Sequence, residues 1–307
     1  MLSRTLPTRV AAVAAASLLS LSGFGVAHAQ SSNPGSSSLP GGASLPMLSS
    51  QPPATPGPGT DMVTFGDSYS ANGGSGGARF VPSETPSRPN CRTDSENWPH
   101  VAARTAGLQL ADYTCNGTSV QLPDYVESAI AQGDLGTNTR QVAIMYGILD
   151  PRVLGDVAYS SGTNGQNLQY SSFVSSMNDT VNRIRSAAPN AKITLVSYPR
   201  MLDNDYWCTG SLESVLPPGS SQQGPNIFIP GGSRIESHFS QVIGDTAARL
   251  GTSFVDVYSA SGGHGPCADP SQRWVNMYQR TNPNSVMANH PTDLGHQEMG
   301  RLVASSL

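Results

Sequence analysis

Short apolar runs alternate with longer amphipathic stretches over most of the chain. The runs at 62–66, 141–147, 192–199 and 252–259, with a weaker one at 108–114, are rich in apolar residues. Such runs, separated by helical segments, are typical of strands that are buried in a parallel sheet. We therefore predict an α/β protein with a central parallel sheet in three layers, α/β/α.

Helical spacing characterises the stretches between these runs. In one of them Ile235, Phe239, Val242 and Ile243 recur at helical intervals, which gives one apolar stripe to lie on the sheet. Helices are predicted at 96–107, 122–132, 170–189, 233–251 and 291–307.

The sheet also indicates where functional residues should lie. Ligands of open parallel sheets gather beyond the carboxyl ends of the strands, so the residues after each strand are the candidates for function.

The first 60 residues differ in composition from the rest. Residues 1–29 carry Arg4 and Arg9, continue through a small and apolar run rich in Ala and Ser, and end on Ala-His-Ala. This pattern predicts a secretory signal peptide rather than a retained membrane anchor. Residues 30–60 are uncharged and dominated by Ser, Pro and Gly, which predicts a disordered linker. Residues 61–307 suit one globular domain.

The charge balance narrows the range of partners. Loss of the signal peptide removes two of the 17 basic residues and none of the 21 acidic ones, which leaves a formal charge of −6. This balance argues against nucleic acid or an anionic membrane surface as a partner. We expect a secreted or cell-envelope-associated monomer without stable membrane insertion.

Four cysteines lie in a chain that is predicted to be exported, where thiols oxidise to disulfides. Three connectivities are possible, and we favour the pairing of sequence neighbours, Cys91–Cys115 and Cys208–Cys267. The sequence contains no Cys-x-x-Cys motif or His-rich cluster, so we predict no metal site.

A serine follows the first predicted strand, in the sequence Gly66-Asp67-Ser68. Gly66 permits a sharp bend and Asp67 can accept local backbone hydrogen bonds, so the turn can expose a nucleophile. At this point the sequence resembles the SGNH (GDSL) hydrolases, which have a flavodoxin-like fold. The resemblance implies an ester hydrolase whose nucleophile is Ser68.

The same resemblance implies an oxyanion hole. Its donors would be the backbone N–H groups of Ser68 and of Gly117, the latter in the turn after the second strand of the domain. The family's third donor is an asparagine, but Leu149 occupies that position here and has no side-chain donor. Loss of one donor lowers activity by about 10² to 10³ unless another group replaces it. Asn116 and Asn72 are candidates by position.

Two histidines compete for the role of the base. His296 lies three residues after Asp293, a spacing that serine hydrolases use, but both fall in a predicted helix. His290 begins the phrase HPTDLG, which matches the family's fourth motif. Pro291 disfavours a helix interior, which leaves His290 on the loop before it. We predict that His290 is the base.

An aspartate usually precedes the family's histidine by three residues, but Met287 occupies that position. Some relatives use a backbone carbonyl there, so the resemblance makes the Met287 carbonyl the candidate acceptor for the imidazole N–H. Asp150, Asp269 and Asp293 are the alternatives.

The segment VDVYSASGGHGPCADP also resembles secreted lipases and esterases of this family, in which a disulfide ties a Gly-His-x-x-Cys turn; we take its His264 to be structural.

The chemistry implied by the resemblance needs no cofactor and no metal. We predict a serine esterase or lipase that acts on small-molecule or lipid esters, since no basic cluster is present to hold phosphate or carboxylate. Two other functions stay open. The same serine could serve an envelope acyltransferase or glycan deacetylase, or the chain could be a weakly active or inactive envelope-binding homologue.

Overall fold

Five parallel strands form the central sheet of the computed structural model: β1 (Met62–Gly66), β4 (Leu110–Thr114), β5 (Gln141–Met145), β6 (Lys192–Val196) and β9 (Ser253–Val255). Their order across the sheet is β4-β1-β5-β6-β9. Two small antiparallel pairs lie outside the sheet: β2 (Phe80–Pro82) with β3 (Arg92–Asp94), and β7 (Tyr206–Trp207) with β8 (Ile227–Phe228).

The structure describes residues 57–73, 80–82, 91–118, 120–148, 150, 153, 155, 157, 171–209, 226–277 and 289–307. The predicted signal peptide, most of the predicted linker, Leu149 and Met287 lie outside the described residues. All described residues belong to the unit that runs from Thr55 to Leu307.

Seven helices occur in the described part of the chain. They are α1 (Ser68–Ala71), α2 (Trp98–Ala106), α3 (Leu122–Gln132), α4 (Ser171–Ala187), α5 (Gly232–Leu250), α6 (Val257–Ala260) and α7 (Asp293–Ala304). The start of α2 follows from its sequence, since the Asn97 side chain caps the His100 N–H and a proline stands in the first turn. At its other end Gly107 takes the left-handed conformation that terminates the helix.

The connections of the strands put the helices into two layers. The chain steps from β1 to β4 on one side, and then crosses to β5, β6 and β9 on the other. Right-handed crossovers in opposite directions place their helices on opposite faces of a sheet. Accordingly, α2 packs against α7, while α3 packs against α4 and α4 against α5. The predicted α/β fold with three layers is confirmed.

Close packing between α2 and α7 depends on a glycine. A Cβ at Gly300 of α7 would lie 2.5 Å from Val101 Cβ and 3.0 Å from the Trp98 carbonyl oxygen of α2. A side chain at this position would therefore force the two helices apart. Their contact carries the end of the chain, and with it the loop that holds His290, against the start of α2.

A buried carboxylate links the edge of the sheet to the strand before α2. Asp112 of β4 pairs in register with Thr64 of β1 and accepts a hydrogen bond from its hydroxyl at 3.1 Å. It also accepts from the Thr93 hydroxyl at 2.8 Å and from the Asn97 amide at 3.1 Å. The Thr114 N–H also donates to Asp112, at 3.1 Å, and together these donors compensate for the burial of the carboxyl group.

Some element boundaries differ from the prediction. The run at 252–259 is a strand only as far as Val255; Asp256 then caps the Ser259 N–H and starts α6. Residues 57–60, which the sequence analysis placed in the linker, contact the loop after α3. The Gly59 N–H donates to the Gly133 carbonyl at 3.1 Å and the Thr60 N–H to the Asp134 carbonyl at 2.7 Å.

Both disulfides of the structure join sequence neighbours. Cys91–Cys115 ties the residue before β3 to the residue after β4. Cys208–Cys267 ties the end of β7 to the turn that contains His264. The His264 ring stacks on Trp274 at a centroid distance of 5.2 Å, and its Nδ1 lies 2.8 Å from the Gln272 carbonyl oxygen. His264 therefore supports this turn.

Candidate active site

Ser68 lies at the point where the order of the strands reverses. β1 has β4 on one side and β5 on the other, and the serine follows its carboxyl end as the first residue of α1. Such switch points form the ligand crevice of open α/β sheets. Asp67 caps the short helix, because its Oδ1 accepts from the Tyr69 N–H at 2.9 Å. The cap fixes the bend between β1 and α1.

The carboxyl group of Asp67 is completely buried behind the serine. Its Oδ2 accepts from the Tyr198 hydroxyl at 2.5 Å. Burial raises the pKa of Asp67 to about 7, although the hydrogen bonds from Tyr198 and Tyr69 each lower it. Asp67 thus joins the first turn of α1 to the residues that follow β6.

His290 meets Ser68 across the crevice. The His290 Nε2 lies 2.7 Å from the Ser68 Oγ, within hydrogen-bond distance. The ring also lies on Tyr69, at a centroid distance of 4.5 Å and an interplanar angle of 30°. His290 and Ser68 are 222 positions apart in the sequence, so only the fold brings them together.

The loop around His290 is held by main-chain hydrogen bonds. The His290 carbonyl accepts from the Asn276 N–H at 2.9 Å, and Pro291 forms an isolated bridge with Val275. Two residues after the histidine, Thr292 caps α7 through the Gly295 N–H at 3.0 Å. The structure therefore places His290 on a loop immediately before a capped helix.

His296 occupies a different environment. It lies in α7 and is completely buried, and its Nδ1 accepts the Trp98 N–H at 3.2 Å. This contact satisfies a free N–H at the start of α2 and so joins the two helices. Asp293 is the first residue of α7, where an acidic group interacts favourably with the helix dipole.

Some of the groups predicted for the oxyanion hole and for the acceptor of the imidazole N–H lie among the described residues. Gly117 has a φ of 74°, a conformation that favours glycine. Leu149 and the Met287 carbonyl lie outside the described residues. Asp150 is buried just after β5. Asp269 accepts from both the backbone N–H and the hydroxyl of Ser271, which holds its own turn.

Asn116 and Asn72 both anchor the loop that follows α1. The Asn116 side chain binds both backbone groups of Gly73, accepting its N–H at 3.1 Å and donating to its carbonyl at 2.6 Å. The Asn72 amide donates to Asp94 Oδ2 at 2.7 Å. These contacts fix the loop beside Ser68. Both amide groups, which were candidate donors for the oxyanion hole, donate to other acceptors in this loop and in β3.

Four residues near Ser68 and His290 escaped the sequence analysis: Tyr69, Tyr198, Trp207 and Asn289. Tyr198 lies two residues beyond β6, so the rule for strand ends could have found it. Asn289 has a left-handed backbone, a conformation in which asparagine is enriched among non-glycine residues. Trp207 carries no such signal, because its contact depends on the position of a two-residue strand.

Other kinds of site have no support in the described ranges. Within them, no group of three or more His, Cys, Asp or Glu side chains is placed to hold a metal ion. None of the helices assigned there has the length and apolar character needed to cross a bilayer.

Comparisons with known proteins point to one family. The profile of the GDSL-like lipase/acylhydrolase family matches residues 64–298. Lipase 2 of Streptomyces coelicolor is 26% identical over 271 residues, which cover 80% of this chain and 85% of that protein. An esterase of Streptomyces scabiei is 26% identical over 313 residues, which cover 83% of this chain and 87% of that protein.

Two solved structures have the same fold. An extracellular lipase from Streptomyces rimosus has a TM-score of 0.52 and 21% identity, with 80% of this chain and 98% of that chain covered. A phospholipase A1 from Streptomyces albidoflavus has a TM-score of 0.52 and 20% identity, with 81% and 98% covered.

Proposed function

Because the chain belongs to the GDSL-like lipase/acylhydrolase family, we propose that it is an exported serine esterase in which Ser68 forms the acyl-enzyme and His290 is the base. The chain is a carboxylic ester hydrolase by family, and the proposal concerns its catalytic residues, substrates and location. The observation that carries it is the distance of 2.7 Å between His290 Nε2 and Ser68 Oγ.

Acylation follows from this geometry. His290 Nε2 accepts the proton of the Ser68 hydroxyl as Oγ attacks the ester carbonyl carbon. The backbone N–H groups of Ser68 and Gly117 would donate to the oxygen that becomes negatively charged, each contributing about 3 kcal/mol. The imidazolium then gives its proton to the alkoxide of the leaving group, and the acyl group remains on Ser68.

Deacylation repeats these steps with water. His290 removes a proton from the water that attacks the acyl carbon, and it returns the proton to Ser68 Oγ as the acid leaves. A neutral imidazole must keep its other N–H bonded to fix the tautomer, and we propose the Met287 carbonyl for this role.

Neutral acyl esters are the proposed substrates. The nearby antiparallel pair of β7 and β8 exposes Tyr206, Ile227 and Phe228, with relative exposures of 43%, 41% and 55%. Such side chains offer an apolar surface near the base, since Trp207 of β7 bonds to the residue before His290. A lipase and an esterase among the relatives agree with this class of substrate.

Export is proposed from the N-terminal sequence and the disulfides. The leader at 1–29 has the composition of a cleavable signal peptide. Both cysteine pairs are oxidised in the structure, and no cysteine within the described ranges is free. Disulfides persist in oxidising compartments outside the cytoplasm.

The test is hydrolysis of a short-chain aryl ester by three variants. Ser68→Ala should lose the nucleophile, and His290→Ala the base, so we expect both to fall by at least about 10³-fold in kcat/KM. His296→Ala is the matched control on the adjacent helix, and its folded fraction should keep the wild-type kcat.

The outcomes separate the open functions. Equal rates in wild type and Ser68→Ala would refute the esterase mechanism and favour an inactive binding protein. If the wild type with an added sugar acceptor makes acylated sugar in preference to free acid, it is an acyltransferase that uses the same serine.

A further inference from the structure

Asn289, the residue before His290, has an unusual backbone conformation. Its φ is 57°, in the left-handed region that non-glycine residues rarely adopt. Asparagine tolerates this region better than most residues, because its short polar side chain can make local hydrogen bonds. The conformation determines the direction in which the chain enters His290.

Two hydrogen bonds from different parts of the fold meet at Asn289. The Tyr69 hydroxyl donates to the Asn289 carbonyl oxygen at 2.5 Å. The Trp207 indole Nε1–H donates to Asn289 Oδ1 at 2.7 Å. One bond holds the main chain and the other holds the side chain, so together they restrain the rotation of this residue.

The donors belong to elements that are themselves fixed. Tyr69 directly follows the nucleophile in α1, is 5% exposed and lies edge-on to Tyr198 at a centroid distance of 5.2 Å. Trp207 lies in β7, next to the Cys208–Cys267 disulfide. The loop that holds His290 is therefore hydrogen-bonded both to α1, which carries the nucleophile, and to β7, which lies next to a disulfide.

We propose that Asn289 is a positioning residue for the base, held by Tyr69 and Trp207; we call these two hydrogen bonds the Asn289 latch. The latch keeps the imidazole of His290 on the Tyr69 ring with Nε2 toward Ser68 Oγ. It rests on the proposed function, since alignment of the base matters only if His290 accepts the proton of Ser68. Small displacements of a catalytic group are costly, and about 1 Å can lower a rate by about 10²-fold.

The first test is Trp207→Phe, which removes the indole N–H and keeps an aromatic ring in β7. We expect kcat for a short-chain aryl ester to fall about fivefold, the factor that corresponds to one typical hydrogen bond, while KM stays unchanged. Tyr113→Phe is the matched control: it removes the hydrogen bond at 2.8 Å from the hydroxyl of a buried aromatic residue of β4 to Asp134, away from the crevice, and should keep the wild-type kcat. A lower midpoint with an unchanged kcat of the folded fraction would mean that Trp207 is only structural, and would overturn the latch.

A double-mutant cycle tests the bond itself. Asn289→Gly keeps the left-handed backbone and removes the acceptor oxygen, so it breaks the same bond as Trp207→Phe. The double variant should lose about fivefold in kcat, not the ~25-fold of independent sites. Asn289→Asp retains an acceptor oxygen and should stay within about twofold of the wild-type kcat at its own pH optimum. Multiplicative losses would overturn the latch.

The orientation of His290 can also be measured without turnover. In the full protein labelled with ¹⁵N-histidine, with His290→Ala to identify the signal, the wild type should show one sharp set of ring resonances. Tyr69→Phe and Trp207→Phe should each broaden or split that set. Unchanged resonances in both variants would overturn the latch. This measurement tests the Asn289 latch independently of the proposed mechanism. An active Ser68→Ala variant would refute the hydrolase mechanism, but the resonances of His290 would still show whether the latch orients its ring.

Discussion

At the residue scale, a second carboxyl group shares the raised pKa of Asp67. Glu236 of α5 accepts the Met201 N–H through Oε1 at 2.9 Å. Its Oε2 is buried without a hydrogen-bond partner among the described residues. Burial raises the pKa of Glu236 to about 8, against the lowering effect of its backbone hydrogen bonds. A protonated Glu236 satisfies this environment better than a carboxylate.

Glu236→Gln should therefore change how stability depends on pH. The unfolded chain releases the Glu236 proton near pH 4.5, whereas the folded chain holds it up to about pH 8. Between these values the folded state binds more protons, so the wild-type free energy of unfolding falls as pH rises, by at most ~1.4 kcal/mol per pH unit. Gln cannot titrate, so the free energy of unfolding of the variant should rise relative to that of the wild type between pH 4.5 and about pH 8.

Denaturant titrations of both proteins at a series of pH values measure this difference. Below pH 4.5 the two proteins should differ little, because Glu236 is protonated in both states of the wild type. A difference in the free energy of unfolding that stays constant from pH 5 to pH 8 would contradict a raised pKa.

The catalytic residues predicted from the sequence are those that carry their own local signal. Ser68 lies in a turn that only a few residue types can make, and His290 precedes a proline and a helix cap. The structure brings their side chains within hydrogen-bond distance. Trp207 and Asn289 could not be joined from sequence, because 82 positions separate them and neither lies in a periodic element. Their contact depends on tertiary packing.

At the element scale, each disulfide should stabilise the fold according to the loop that it closes. Cys208–Cys267 spans 59 residues and Cys91–Cys115 spans 24. The chain-entropy model gives about 4 kcal/mol for the longer loop and about 3 kcal/mol for the shorter. We expect Cys208→Ala/Cys267→Ala to lose more free energy of unfolding than Cys91→Ala/Cys115→Ala.

Urea unfolding of the two double variants beside the wild type checks this order. A greater loss in Cys91→Ala/Cys115→Ala would mean that local packing at the end of β4, and not loop entropy, dominates. The reduced wild type is the control, since it should lose at least as much stability as either variant.

At the scale of the whole molecule, the five central strands were predictable because each is a buried apolar run. Their order did not follow from the apolar pattern, since strands of similar composition can exchange places in a sheet; it followed only from the resemblance, because flavodoxin-like sheets have the order 2-1-3-4-5, which is the order observed. Both antiparallel strand pairs were missed as well: β7 and β8, for example, have two residues each, too few to show a period. Because the missed strand β7 contains Trp207, the sequence also failed to predict the contact of Trp207 with Asn289.

The start of the folded unit gives the last prediction. Residues 57–60 bond to the loop after α3, through the two bonds of Gly59 and Thr60 and through the Asn138 N–H, which donates to the Pro58 carbonyl at 2.6 Å. A chain that begins at Gly57 should unfold with the same free energy as one that begins at Gln30. A chain that begins at Asp61 loses these three bonds and the bond of the Thr60 hydroxyl to Asp134 Oδ1 at 3.3 Å, and should be less stable by about 2–4 kcal/mol. Equal denaturant midpoints for all three would show that these residues add nothing to the fold.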